Sequence, residues 1–145
     1  MMATLALASL SVAACDHPPE IDRILLDRSI LRSDESAVLS ISVRDKSGLD
    51  DLVGAQLYSQ DLTYWYGSLA EVSDGVFETT ITWGRLQQAS PITFDFPIQR
   101  TLTVIVEDNE GGSDSLPVTL ELRCRAKEHA CNGACYPVEL DCKDV

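Results

Sequence analysis

Between residues 36 and 45 apolar and polar side chains alternate. Ala37, Leu39, Ile41 and Val43 share one parity, and Val38, Ser40, Ser42 and Arg44 share the other. Successive side chains of a strand point to opposite faces, so this run demands an extended chain with one buried face and one mostly polar face. Short runs of Val, Ile, Thr and aromatic residues, bounded by Asp, Gly, Ser and Pro, recur at 21–27, 52–58, 64–70, 76–83, 99–107 and 114–122, which makes seven expected strands. No stretch carries a helical stripe of useful length, although Arg85 to Ala89 has room for one turn.

Two turns share a pattern. Asp45-Lys46-Ser47-Gly48 and Asp108-Asn109-Glu110-Gly111 each leave a strand on an aspartate and reach glycine three residues later. Aspartate accepts hydrogen bonds from turn amides and glycine tolerates positive φ, so the spacing has a physical basis. Asp74-Gly75 marks another turn.

Seven short strands with such turns over roughly 100 residues suit an all-β, immunoglobulin-like two-sheet antiparallel sandwich. On Asp45-x-x-Gly48-Leu49 after one strand and Asp108-x-x-Gly111 before the last, residues 21–122 resemble the bacterial Ig-like and fibronectin-like modules of surface proteins. The resemblance implies a binding or structural domain. The chain lacks the antibody-type Cys, Trp, Cys arrangement, and an eight-stranded barrel is the alternative architecture.

In the usual strand order of a sandwich, three loops gather at the end where the first strand begins. They carry Asp45, Asp50 and Asp51, then Glu71 and Asp74, then Asp108, Glu110 and Asp114. Carboxylates are hard oxygen ligands, so Asp45, Asp50, Asp51, Asp108, Glu110 and Asp114 are candidate ligands for Ca²⁺. Arg28, Arg32 and Arg85 fall at the opposite end. Lys and Arg number 11 against 23 Asp and Glu, a formal charge of -12, which repels a phosphate backbone and sets nucleic acid aside as a partner.

Tyr64-Trp65-Tyr66 is the densest aromatic cluster. In a strand Tyr64 and Tyr66 share one face and are candidate carbohydrate or peptide contacts, since flat amphipathic rings suit such ligands. The plainer expectation is a core Trp65 between two edge tyrosines. No G-x-S-x-G, H-E-x-x-H or phosphate-loop pattern occurs, and both histidines, His17 and His129, fall outside the expected sandwich. A non-catalytic module is the expectation, with an envelope hydrolase as the rival that would need a cleft uniting carboxylates with histidine or metal.

After the last strand come Cys124, Cys131, Cys135 and Cys142, separated by six, three and six residues, in a tail spanning 123–145. A segment this short cannot bury a core of its own, so cross-links must hold it. Disulfides are expected; four cysteines allow three pairings, and the pairing of Cys124 with Cys135 and of Cys131 with Cys142 is favoured because it interlaces the tail. Zinc on the four thiols, with His129, is the competing reading.

At the N-terminus an apolar run from Leu5 to Val12 ends in Ala13-Ala14-Cys15. Val12-Ala13-Ala14-Cys15 resembles the signal sequence and lipobox of a bacterial lipoprotein. The resemblance implies a signal peptide over 1–14, removed on export, and lipid attachment at Cys15, with 15–20 as a short linker carrying Pro18 and Pro19. Buried acyl chains contribute about 0.8 kcal/mol per methylene, so two or three of them anchor stably. The expected location is a bacterial membrane, facing periplasm or cell surface, with a protein or glycan partner in the envelope.

Overall fold

In the computed structural model residues 17–93 and 98–145 are described. The expected signal segment and Cys15 lie outside them. The chain order is β1 (Glu20–Leu26), β2 (Ile30–Arg32), β3 (Ser36–Arg44), β4 (Leu52–Ser59), β5 (Trp65–Ser73), β6 (Val76–Thr82), α1 (Trp83–Ala89), β7 (Ile98–Asp108), β8 (Ser113–Arg123), β9 (Glu128–Cys131) and β10 (Ala134–Pro137). A 3₁₀ turn over Leu49–Asp51 precedes β4, and another over Cys142–Asp144 follows β10. The seven expected strands are β1 and β3 to β8.

Hydrogen bonding runs in the order β1-β3-β6-β5-β4-β7-β8-β2, so the two expected layers are the halves of one curled sheet. β5 makes the turn between them. Its first part pairs with β4, Leu69 opposite Ala55, and its last part with β6, Ala70 opposite Glu78. All of these pairs are antiparallel except β2 with β8, where Ile30, Leu31 and Arg32 run parallel to Glu121, Leu122 and Arg123. The segment between β1 and β2 thus crosses from one edge of the sheet to the other.

The alternation in β3 is realised, with Ala37, Leu39, Ile41 and Val43 all buried. They meet Ala55 and Leu57 of β4, Phe77 and Ile81 of β6, Leu102, Val104 and Val106 of β7, and Leu120 and Leu122 of β8 in one core. Leu31 makes the short β2 part of that core, being fully buried.

α1 begins at Thr82, whose hydroxyl accepts a hydrogen bond from the Arg85 amide at 3.3 Å. That satisfies one of the first-turn amides that have no partner inside the helix. Leu86 is fully buried, and the Arg100 guanidinium donates to the carbonyls of Leu86 and Ser90 at the other end, at 2.6 and 3.1 Å. This helix of about two turns is therefore held by its caps and by one leucine.

The tail is built on disulfides Cys124–Cys135 and Cys131–Cys142. Between them β9 and β10 form a hairpin, with Cys131 opposite Ala134 and positive φ at both turn residues, 49° at Asn132 and 80° at Gly133. Asn-Gly is the pair that tolerates such a turn with least strain. All four thiols are consumed, which removes the zinc alternative: the grouping of His129, Cys131 and Cys142 contains a disulfide and no thiolate.

Candidate functional site

Strand parity builds the site. In β7 the inward residues Leu102, Val104 and Val106 are followed at the next inward position by Asp108, which is only 4 % exposed. In β3 the inward row of Ala37, Leu39, Ile41 and Val43 leads in the same way to Asp45, half-buried just past the strand. Two core columns thus end in a carboxylate at the same pole.

Asp108 Oδ1 accepts hydrogen bonds from the Gly112 amide at 2.6 Å and the Glu110 amide at 2.9 Å. Asp45 Oδ1 accepts one from the Ser47 amide at 2.8 Å. The second oxygen of each, Asp108 Oδ2 and Asp45 Oδ2, is buried without a hydrogen-bond partner among the described residues. An anionic oxygen buried without a donor is costly, so two of them together are an unusual feature.

The third carboxylate is Asp51, which closes the 3₁₀ turn before β4. Its main-chain carbonyl accepts from the Asn109 amide at 2.9 Å, which ties the β3–β4 loop to the β7–β8 turn. Asp45, Asp51 and Asp108 each offer an oxygen within 4.8 Å of the other two. The remaining three of the six expected acidic residues do not join this group. Asp50 is exposed on the 3₁₀ turn, Glu110 is exposed beyond β7, and the carboxylate of Asp114 accepts from the Ile21 amide at 2.7 Å and the Ser115 amide at 2.9 Å.

The chain leading into β1 runs along this pole. The His17 amide donates to Ser47 Oγ at 3.3 Å, and Pro19 is buried. An open concavity of about 550 Å³ there is lined by His17, Pro18, Glu20, Arg44, Asp45 and Leu49, among others.

The aromatic cluster lies toward the other end, where β4 finishes and β7 starts. Tyr64 and Tyr66 meet edge to face with ring centroids 4.9 Å apart, and both are half-buried. Tyr66 packs against the core, and burial raises its hydroxyl pKa above the ordinary value, opposed by the positive charge of Arg100. Trp65 is the outward residue, 57 % exposed, with its indole nitrogen donating to Gln56 Oε1 at 2.8 Å. The expected arrangement of a core tryptophan between edge tyrosines is therefore inverted, because a register shift against β4 between Trp65 and Gly67 reverses the alternation, so that Trp65 faces outward although Leu69, of the same parity, is buried.

Both tyrosines border an open hollow of about 420 Å³ with Ser59, Asp61, Gln99 and Arg100. Hydrogen bonds from the Ser59 hydroxyl, then from the hydroxyl and amide of Thr63, hold the exposed Asp61 carboxyl down at about 2. Asp61 thus stays anionic at any physiological pH, and the order that it lends its loop is lost only as pH falls toward 2.

No family model matches the chain, and no curated protein matches it. Among solved structures it is similar to the N-terminal Ig1-2 module of the Drosophila receptor protein tyrosine phosphatase DLAR, at 18% identity and a TM-score of 0.51. The fold is immunoglobulin-like. The match covers 77% of this chain and 52% of that one, so the chain spans about half the length of the structure it matches. Within the described immunoglobulin-like domain and its tail no catalytic cluster is present. His17 lies on the linker and His129 on β9, and no described helix is long and apolar enough to cross a membrane.

Proposed function

We propose that the chain is an exported lipoprotein, anchored through Cys15, whose immunoglobulin-like domain is a non-catalytic binding or structural module at the cell envelope. The observation that carries this reading is the cysteine pairing. Four of five cysteines are bonded to one another in the tail, which suits an oxidising compartment and leaves the remaining one directly after Val12-Ala13-Ala14. The linker enters β1 at the acidic pole, so an anchor at Cys15 would hold that pole close to the lipid. It would turn α1, the tail and the hollow beside Tyr64 and Tyr66 outward, toward a protein or glycan partner.

Replacing Cys15 by Ser is expected to move the protein from the membrane fraction to the soluble fraction. A variant that stayed membrane-bound at high salt would contradict the anchor.

The same reading gives the module a divalent cation. Asp45, Asp51 and Asp108 offer only oxygen, the ligand of hard cations, and two of the available oxygens are buried without a donor. Ca²⁺ suits them best. One oxygen of each aspartate lies within 4.8 Å of one from the other two, near enough for a single ion to be shared, and Ca²⁺ accepts irregular oxygen geometry where Mg²⁺ demands a near-ideal octahedron.

A further inference from the structure

We infer that Ca²⁺ at Asp45, Asp51 and Asp108 is a clamp that fixes the linker to the acidic pole, and with it the direction in which the tether leaves the domain. The inference rests on the cation reading above and adds what the cation controls.

Each aspartate comes from a different segment: the end of β3, the 3₁₀ turn before β4, and the end of β7. One ion bridging them joins the 45–51 loop to the 108–112 turn, which are otherwise linked through Asn109 and Asp51. Three carboxylates facing one another repel when nothing lies between them, so the same groups that close the pole around a cation push it open without one.

Both segments that contribute a donor-less oxygen also hold the linker. Ser47, whose amide donates to Asp45, accepts through its hydroxyl from the His17 amide. Gly112, whose amide donates to Asp108, lies against the linker at Pro18. A methyl group built there would overlap Asp108 Oδ2 and sit 3.0 Å from the Pro18 Cα. Asp45 is thus one side chain away from His17, and Asp108 one glycine away from Pro18. Pro18 and Pro19 limit the bending of the linker itself, so a change in the two loops is passed to the chain before it as a change of direction.

The test uses the full chain in detergent, stripped with chelator and then given CaCl₂ or MgCl₂, with thermal unfolding and amide hydrogen exchange as readouts. Ca²⁺ is expected to raise Tm and to slow exchange at the His17 and Ser47 amides by about tenfold or more, with Mg²⁺ at equal concentration doing less. Asp108→Asn is expected to abolish both responses while its metal-free Tm does not fall below the parent's, since the amide keeps the shape and removes one repelling charge. Asp51→Asn, at a less buried position, is expected to lose the responses in the same way. A Ca²⁺-induced rise in Tm with unchanged exchange at His17 and Ser47 overturns the clamp and leaves the cation reading standing. No change in Tm with Ca²⁺ overturns both. Neither outcome depends on the lipid, because the same measurements can be made on the Cys15→Ser chain.

Discussion

Leu57→Ala is expected to cost about 4 kcal/mol, the upper part of the range for buried leucines, read as a lower urea midpoint with an unchanged slope. Leu57 is 1 % exposed on β4, between β5 and β7. What sets the cost is how far the surroundings can collapse into the space left behind. Its partner across β5 is Gly67, which has no side chain to move inward, and its partner across β7 is Val104, already fully buried and held in the ladder with Leu116. The cavity therefore stays open. For a domain of this size, with a total stability on the order of 10 kcal/mol, one such truncation removes a large share. Val53, also on β4 but on the outer face at 63 % exposure, should tolerate alanine with a change of about 0.5 kcal/mol or less.

Removal of the disulfides should act locally. Each bridge joins residues separated by 11 positions, and closing a loop of that length is worth about 3 kcal/mol in the chain-entropy model. Beyond the bridges, the tail is held to the sandwich by few polar contacts, among them Arg32 donating to the Cys124 carbonyl at 2.5 Å and Arg125 to Ser33 Oγ at 3.3 Å. A two-stranded hairpin is marginal by itself. Replacing Cys135 and Cys142 by Ala should accelerate amide exchange across 128–137 by about a hundredfold or more, while the β3 and β7 amides keep their protection. Equal loss of protection in β3 and β7 would mean that the tail is part of the cooperative unit of the sandwich.

Most of the fold was legible because burial on one face leaves a period of two in the residues. The 36–45 run shows why: its parity specifies strand, face and register at once, and the observed β3 departs from it by one residue. Two elements escaped this logic. β2 is only three residues long, too short for alternation to register, and it exists because Leu31 fills the core beside β8. The β9–β10 hairpin was hidden by the cysteines around it, although Asn132-Gly133 is a hairpin turn signal in its own right.

The site was only partly legible. The acidic loops could be counted, but six carboxylates looked equivalent until β3 and β7 placed Asp45 and Asp108 at the ends of inward columns. Extending the alternation one step, from Val43 to Asp45 and from Val106 to Asp108, would have singled them out. Asp51 had no such signal, because the 3₁₀ turn and the register shift at the start of β4 break the period. Trp65 was misjudged for a related reason. Its parity is that of the buried Leu69, but the register shift between Trp65 and Gly67 reverses the alternation, and a period-two reading carried along β5 places Trp65 on the wrong face.

The central claim, an exported immunoglobulin-like module held by lipid at Cys15 and cross-linked in its tail, is tested most directly by the intact mass of the protein taken from membranes without reduction. The expected species begins at Cys15, carries the added mass of two or three acyl chains on that residue, and lacks the four hydrogens lost in forming two disulfides. A chain that retains residues 1–14 without acyl groups, or one with four free thiols in its tail, would contradict it.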